Sequence, residues 1–462
     1  MMYLLRTGNN KTRLRLMVSQ IWAIVFGCIL LAGVLLAPSC VYAQEANTSQ
    51  QPFSTSGTFT YLTYDSMFAE YTYTYDESWF YEDAYVYNHE LAKMSLRMSL
   101  AASDTMYALA INLPFARAAN VLDLMGQLGF ETDLSSDLLV IHYPEPSLET
   151  IGFAISSKEL DSDTSLILVA TRGAGYGYEW GGNLEVGDGI CHLNYERAAN
   201  EIVANLADYM NQNAGTLKST CKVWLSGFSR GAAVANLVAA KLDQGIIPGI
   251  NSSSVYTYCF ECPQNTRDQA AHDSMYGNIF SVVNPLDILP RFAFSVWGYT
   301  CYGVIYELPS LDSTPSYNEL KSNMCAYYED ILSHRMVSCS ESVDQLTGEA
   351  SGEAETFDTF MDALGKYFGN PAKYTKKNQD ELVAYVQKHT INDKGLDLGS
   401  VFTDIINGGT SSLWGFPFAY PIETISIVIY ISQYGAFNMH YPELCLAWME
   451  SLSAETWPAI AS

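Results

Sequence analysis

Short apolar, β-prone runs recur from Leu138 onward, at LLVIHY, TIGFAIS, SLILVAT, KVWLSG, SVYTYCF and NIFSVVN. Long helical segments lie between them at Tyr195 to Met210 and Arg230 to Leu242. Apolar runs bounded by turn signals and separated by helices predict an α/β fold, with a largely parallel or mixed sheet covered on both faces. Upstream, Leu91 to Ala102 and Ala116 to Leu128 predict amphipathic helices, the second stopped by Gly129. Phe59 to Asn88 is crowded with Tyr, Phe and Asp. An aromatic, acidic run of this kind admits a sugar-stacking reading, but a short strand or extended arm packed on the domain is favoured. The polar stretch from Gln44 to Thr58 reads as a flexible lead-in. From Cys301 to about Phe437 the alternation breaks, with a helix expected near Asn378 to His389 and an apolar segment at Ile422 to Ile431; this reads as an insertion or cap. No internal repeat is evident.

The first 43 positions follow another pattern. Arg6, Lys11, Arg13 and Arg15 precede an apolar run from Ile21 to Ala37, and Val41-Tyr42-Ala43 supplies small residues where a signal peptidase reads. This order predicts a signal peptide cleaved after Ala43 and a secreted or extracytoplasmic product. An uncleaved N-terminal membrane anchor is the alternative, because the apolar run is near the lower length of a membrane span. Cys40 follows Ala37-Pro38-Ser39, a poor lipidation signal.

With 462 residues and 48% hydrophobic content, the chain has ample material for a packed core. The four cations of the leader have no acidic counterpart there, so cleavage takes the formal charge from −26 to −30. A surface this acidic repels phosphate backbones and argues against nucleic acid as a partner. The cysteines after Ala43 (Cys191, Cys221, Cys259, Cys262, Cys301, Cys325, Cys339 and Cys445) permit disulfides in an exported chain, with connectivity undetermined. Cys259 and Cys262 lack a second pair at zinc spacing. Neither a metal nor a cofactor is expected.

Candidate chemistry centres on VWLSGFSRGAAVANL, Val223 to Leu237. Here Gly227-Phe228-Ser229-Arg230-Gly231 falls between a predicted strand and a predicted helix, the setting in which Gly-x-Ser-x-Gly forms a nucleophile elbow. Ser229 would project from the sheet beside a helix N-terminus that favours a developing oxyanion. The bland alternative is a structural turn. A serine needs a base, and the base an orienting acid, which in this fold follow in the order acid then histidine. Asp287, in NPLDILP, lies in a tight loop at a strand end, although an aspartate beside proline is also a common turn cap. His334, His389 and His440 follow it. His440 precedes Pro442 at a helix start and so is presented from a loop, making it the best candidate base. Two backbone donors are required for an oxyanion hole; Arg230 supplies one, and the loop Thr171-Arg172-Gly173-Ala174 offers the second. The Arg172 side chain also reads as a structural ion-pair partner.

The segments VATRGAGYGYEW, CHLNYERAANEI, LSGFSRGAAVANL, YTYCFECP, VVNPLDILP and NMHYPELCLAWM resemble, in order and spacing, the class 3 (fungal-type) lipase-like family in its bacterial exported branch. The resemblance spans roughly Ser78 to Glu450. It implies an α/β-hydrolase domain, here 59–462, with Ser229 as nucleophile, Asp287 as orienting acid and His440 as general base. Gly173 or Ala174 stands where the family often places a hydroxyl-bearing oxyanion residue, so only the backbone donor carries over. Phe228 replaces a common histidine. The separation of Asp287 and His440 is long for the family, which fits an enlarged cap at 301–437, with Trp414 and Phe416 as substrate-pocket candidates.

The expectation is therefore an exported serine hydrolase of carboxylic esters, lipase or esterase in type, whose partners are an ester or lipid substrate and, transiently, a lipid interface. Two other classes stay open: a non-enzymatic cell-surface or binding protein on the same scaffold, and another acyl-transfer enzyme such as a peptidase.

Overall fold

The computed structural model describes residues 52–63, 68–103, 114–144, 147–173, 177–310, 313–334, 354–374, 438–453 and 457, with 384, 419, 420 and 422 as further positions. The predicted leader, the helix expected at 378–389 apart from Ala384, the apolar segment at 422–431 apart from Ile422, and Ala174, Cys339, Trp414 and Phe416 lie outside the described residues.

The aromatic stretch folds as an antiparallel hairpin of β1 (Ser54–Leu62) and β2 (Phe68–Asp76). Its physical basis is a period of two: Ala69, Tyr71, Tyr73 and Tyr75 are buried, whereas Glu70, Thr72 and Thr74 are exposed. The strand begins at Ser54, so the lead-in expected to run to Thr58 ends earlier. Helix α1 (His89–Ala101) follows, its start capped by the Asn88 Oδ1, which accepts from the Leu91 amide at 2.9 Å. Helix α2 (Ala119–Gln127) ends just before Gly129, whose φ of 81° supplies the left-handed stop.

Seven strands then form one sheet in chain order: β3 (Leu139–His142), β4 (Phe153–Glu159), β5 (Thr164–Thr171), β6 (Thr220–Phe228), β7 (Val255–Phe260), β8 (Ile279–Val283) and β9 (Val304–Glu307). The first three are antiparallel, and β5 through β9 are parallel. Helices α3 (Leu193–Gln212) and α4 (Arg230–Asp243) make the crossovers into β6 and β7. Since the strands advance in one direction, right-handed crossovers bring both helices to the same face. They cover Ile167, Val169, Val223 and Leu225 there. The alternate residues Leu166, Leu168, Ala170 and Trp224 point to the other face, under α1 and the hairpin. Each such aliphatic side chain contributes about 1.5–3 kcal/mol by leaving water, which is why the central strands read as nearly continuous apolar runs.

Three further helices follow: α5 (Tyr317–Ser333), α6 (Ala354–Phe368) and α7 (Pro442–Ser451). Part of the expected cap belongs to the body of the domain, because β9 extends the sheet and α5 buries Tyr317, Met324, Tyr328 and Ile331 in the same core as α7. Helix α6 joins a separate apolar cluster through Met361 and Ala293, Phe294 and Trp297. The Trp297 indole donates to the Gly365 carbonyl at 2.9 Å.

Two polar attachments fix the outer layer. His89 Nε2–H points at the carbonyls of Met449 and Leu452, 3.0 and 3.1 Å away, and Arg97 pairs with Glu450 at 2.6 Å, tying α1 to α7. Lys158 is buried among rings, with Nζ 4.4 Å from the Tyr75 centroid and 4.9 Å from that of Phe130, and pairs with Glu77 at 2.8 Å. Burial lowers its pKa to about 8, against the opposing pull of Glu77. Among the described residues no helix is long and apolar enough to cross a membrane. Cys191, Cys221, Cys259, Cys262, Cys301 and Cys445 are free thiols.

Candidate active site

The central strand β6 leads into Ser229, and α4 begins at the next residue. Ser229 has φ 56° and ψ −127°, a strained conformation for a side-chain-bearing residue. Its amide donates to the Phe260 carbonyl at 2.8 Å and its carbonyl accepts from Ala233 at 3.2 Å, so the strain is held by both flanking elements. The two glycines are required by close approach. A Cβ on Gly231 would lie 2.6 Å from the Arg172 oxygen, and one on Gly227 would lie 2.5 Å from Thr171 Oγ1 and collide with the Gly231 carbonyl. Thr171 Oγ1 sits 2.9 Å from the carbonyl oxygens of both Ser226 and Gly231, fastening β5 to the turn.

Asp287 arrives from the loop after β8. Its amide donates to the Asn284 carbonyl at 3.0 Å, closing the turn, and its Oδ1 accepts from Leu289 N at 2.9 Å. The other oxygen, Oδ2, bonds His440 Nδ1, and His440 Nε2 is 2.7 Å from Ser229 Oγ. All three are buried. Because a carboxylate only accepts, Nδ1 carries the proton, leaving Nε2 to accept from the serine hydroxyl. The result is a continuous hydrogen-bonded chain from serine through imidazole to carboxylate.

The histidine reaches this place from a 3-10 turn at Asn438–His440, directly before α7, with Pro442 as the first residue of that helix. Asn284 couples the two loops: its Nδ2 reaches the Met439 carbonyl at 3.3 Å while its Oδ1 accepts from Leu286 N at 3.0 Å. The Phe228 ring packs 5.2 Å from that of His440, centroid to centroid. His334 is elsewhere, exposed at the end of α5 with Nδ1 2.7 Å from the Asp330 carbonyl of its own helix. His389 lies outside the described residues.

On the candidate oxyanion side, Arg230 is the first residue of α4, where backbone N–H groups have no partner within the helix. Gly173 passes close by, since a Cβ on it would meet the Phe228 carbonyl at 3.2 Å. The two arginine side chains are structural. Arg172 pairs with Glu179, both 1% exposed, and Arg230 donates to Asn183 Oδ1 at 2.9 Å and to the Leu148 carbonyl at 3.1 Å. Removing one partner of so buried a pair costs about 3–5 kcal/mol, so this network holds the segments on either side of Gly173 rigidly. Cys259 and Cys262 are buried beneath α4; Cys262 Sγ is 3.5 Å from Cys301 Sγ. No metal-binding cluster occurs among the described residues.

Sequence reading did not single out Asn284, Asn183 or Glu261 as contributors to this region, and it named Thr171 only as part of the candidate oxyanion loop. Asn284 stood within the quoted Asn-Pro turn, and Glu261 is a lone acid in an apolar run, which is itself a signal of a special burial.

With this geometry in view, the chain can be set beside known proteins. Residues 169–297 match the family model described as lipase (class 3), a stretch that includes Ser229 and Asp287 and ends before His440. No curated protein matches the sequence. Among solved structures, the chain is similar to Rhizomucor miehei triacylglyceride lipase, at 18% identity and TM-score 0.34, covering 49% of this chain and 83% of that one. It is also similar to the mono- and diacylglycerol lipase from Aspergillus oryzae, at 16% identity and TM-score 0.34, covering 49% and 81%. A fungal lipase in complex with an inhibitor aligns at 17% identity and TM-score 0.35, covering 59% and 95%.

Proposed function

We propose that this protein is a serine hydrolase of carboxylic esters with lipid-like acyl groups. The observation that carries the reading is the hydrogen-bonded chain of Ser229, His440 and Asp287 at the end of the central strand. The match of residues 169–297 to class 3 lipases supports the choice of esters over peptides.

In this reading Ser229 Oγ attacks the ester carbonyl carbon as His440 Nε2 takes the hydroxyl proton. The carbonyl oxygen becomes an oxyanion facing backbone N–H groups at Arg230 and in the Gly173–Ala174 segment. Collapse breaks the bond to the alkoxy oxygen, which receives the proton from His440 and leaves as alcohol. Water then enters; His440 removes its proton, the hydroxyl adds to the acyl carbon, and the free acid departs with Ser229 reprotonated. Asp287 holds the imidazole in the required tautomer throughout.

Residues between β9 and His440 would wall the acyl site. A small cleft lined by Asn284, Leu286, Tyr317, Lys321, Met439 and Trp448 lies against residues that neighbour Asp287 and His440 in the chain. Trp414 and Phe416 are the proposed pocket residues from the segment not described, and their replacement by alanine should weaken long-chain hydrolysis more than short-chain hydrolysis, by about 1–3 kcal/mol. Export, in the manner of the bacterial secreted branch, is part of the same proposal and rests on the leader at residues 1–43.

The deciding experiment is labelling with a fluorophosphonate, followed by a panel of esters of increasing acyl length. Modification confined to Ser229, with turnover of esters, is expected. Labelling without turnover of any ester would point to a different acyl-transfer reaction, and absence of labelling to a scaffold used for binding.

A further inference from the structure

Behind Asp287 stands a second acid that the mechanism does not use. Glu261 directly follows β7 with φ 48°, a left-handed conformation that a residue with a Cβ adopts only under constraint. Its amide donates to the Val282 carbonyl at 2.8 Å, so the strain is pinned to the neighbouring strand. The side chain is fully buried. One oxygen, Oε2, accepts from the Asn284 amide at 2.8 Å, in the same turn that presents Asp287. The other, Oε1, meets no donor among the described residues. Through the Asn284 amide the carboxyl is held in the turn that presents Asp287, whose charge acts on it.

A buried carboxyl that accepts from one amide and leaves its other oxygen without a donor is poorly suited to carry a charge. Asp287 accepts from His440 and from the Leu289 amide. Glu261 faces the Asn284 amide, Asp287 from the loop after β8 and the buried Cys445 thiol from α7, and the amide and the thiol oppose the rise that burial and Asp287 cause. Burial first, and the Asp287 charge second, push its carboxyl well above the usual range. Burial and the two acids likewise push the Cys445 thiol up, so it stays neutral.

We propose that Glu261 is a protonated positioning residue whose O–H donates to the Asp287 carboxylate, fixing the oxygen that receives His440 Nδ1–H. This rests on the reading of Ser229, His440 and Asp287 as a triad. A neutral donor at this point adds a hydrogen bond to the acid without a second charge, and it spreads the Asp287 charge away from His440. That disfavours transfer of the imidazolium proton to Asp287. Asn284 completes the device, since its amide orients Glu261 while its side chain reaches the Met439 carbonyl beside His440.

The test compares the whole protein with Glu261→Ala and Glu261→Gln, using a short-chain p-nitrophenyl ester and urea unfolding. Glu261→Ala should lower kcat about 10²-fold with KM little changed, and Glu261→Gln should recover all but about threefold of that loss. The amide N–H replaces the donated proton and its carbonyl keeps the Asn284 bond. A second readout is the urea midpoint from pH 5 to pH 8. Folded Glu261 retains a proton that the unfolded chain releases above its ordinary range, so the native protein loses stability as pH rises through that window, whereas the Gln variant lacks this term. A wild-type midpoint that falls relative to Glu261→Gln supports the proposal. Midpoints running in parallel, or a Gln variant as impaired as the Ala variant, overturn it. If no form hydrolyses the ester, the reading of function falls, while the midpoints still decide the protonation of Glu261.

Discussion

Replacing Ser229 by glycine and by alanine separates the strain of the elbow from its chemistry. Both substitutions delete the same hydroxyl and the same 2.7 Å contact with His440, so those losses cancel in the comparison. What differs is the Cβ. At φ 56° and ψ −127° alanine keeps the unfavourable conformation, worth about 1–3 kcal/mol, and glycine releases it. Glycine also loses more backbone entropy on folding, about 0.5–1 kcal/mol. The net expectation is that Ser229→Gly is more stable than Ser229→Ala by about 0.5–2 kcal/mol. In a chain this long 1 kcal/mol moves the thermal midpoint only about 1–2 °C, so urea titration is the better assay. Both variants should lose ester turnover on the order of 10⁶-fold. An alanine variant more stable than the glycine variant would show that the elbow is relaxed, and the argument from backbone geometry to a presented nucleophile would fail with it.

Two further outcomes test the scaffold. Folded Lys158 titrates near pH 8 and unfolded lysine near 10.5, so between those values the unfolded chain holds the extra proton and the native state gains stability as pH rises. Lys158→Met should abolish that gain, about 1.4 kcal/mol per pH unit; urea midpoints of the two proteins that stay parallel from pH 7.5 to 9.5 would refute it. Trp297→Ala removes the indole that joins Phe294, Tyr374 and the Gly365 carbonyl. The loss of about 3–5 kcal/mol should appear as faster hydrogen exchange in α6 with α4 unchanged, and equal acceleration in both helices would show that α6 is not a separate unit.

The sheet was legible because its strands are buried on both faces. Leu166 to Ala170 and Val223 to Leu225 fill two cores at once, so neither needs a polar alternate and both read as apolar runs. Helix α3 was legible from its periodic buried stripe, and α4, buried on nearly every side, from its run of small apolar residues after Gly231. Ser229 could be picked out because the glycines that permit its turn are local in sequence. His440 could be picked out because Pro442 marks a loop-to-helix boundary. Strand β9 was not expected: it has only four residues, and its identity depends on pairing with β8 across a long connection. The hairpin's polar alternates carry Thr and Glu among tyrosines, which blurs a strand pattern into a composition. Glu261 was hidden because nothing in the sequence places it against Asp287; the strand order does.

The tie between α1 and α7 has a consequence for when the protein becomes able to act. His440 is carried by the turn that leads into α7, and α7 docks on α1 through His89, Arg97 and Glu450. The contact between Ser229 and His440 spans 211 positions, among the longest the fold makes. During synthesis the sheet, the elbow and Asp287 can all be in place while the imidazole is still inside the ribosome. A nascent chain thus holds its serine without this base until α7 emerges and closes against α1. Assembly of the site is a late event of biogenesis.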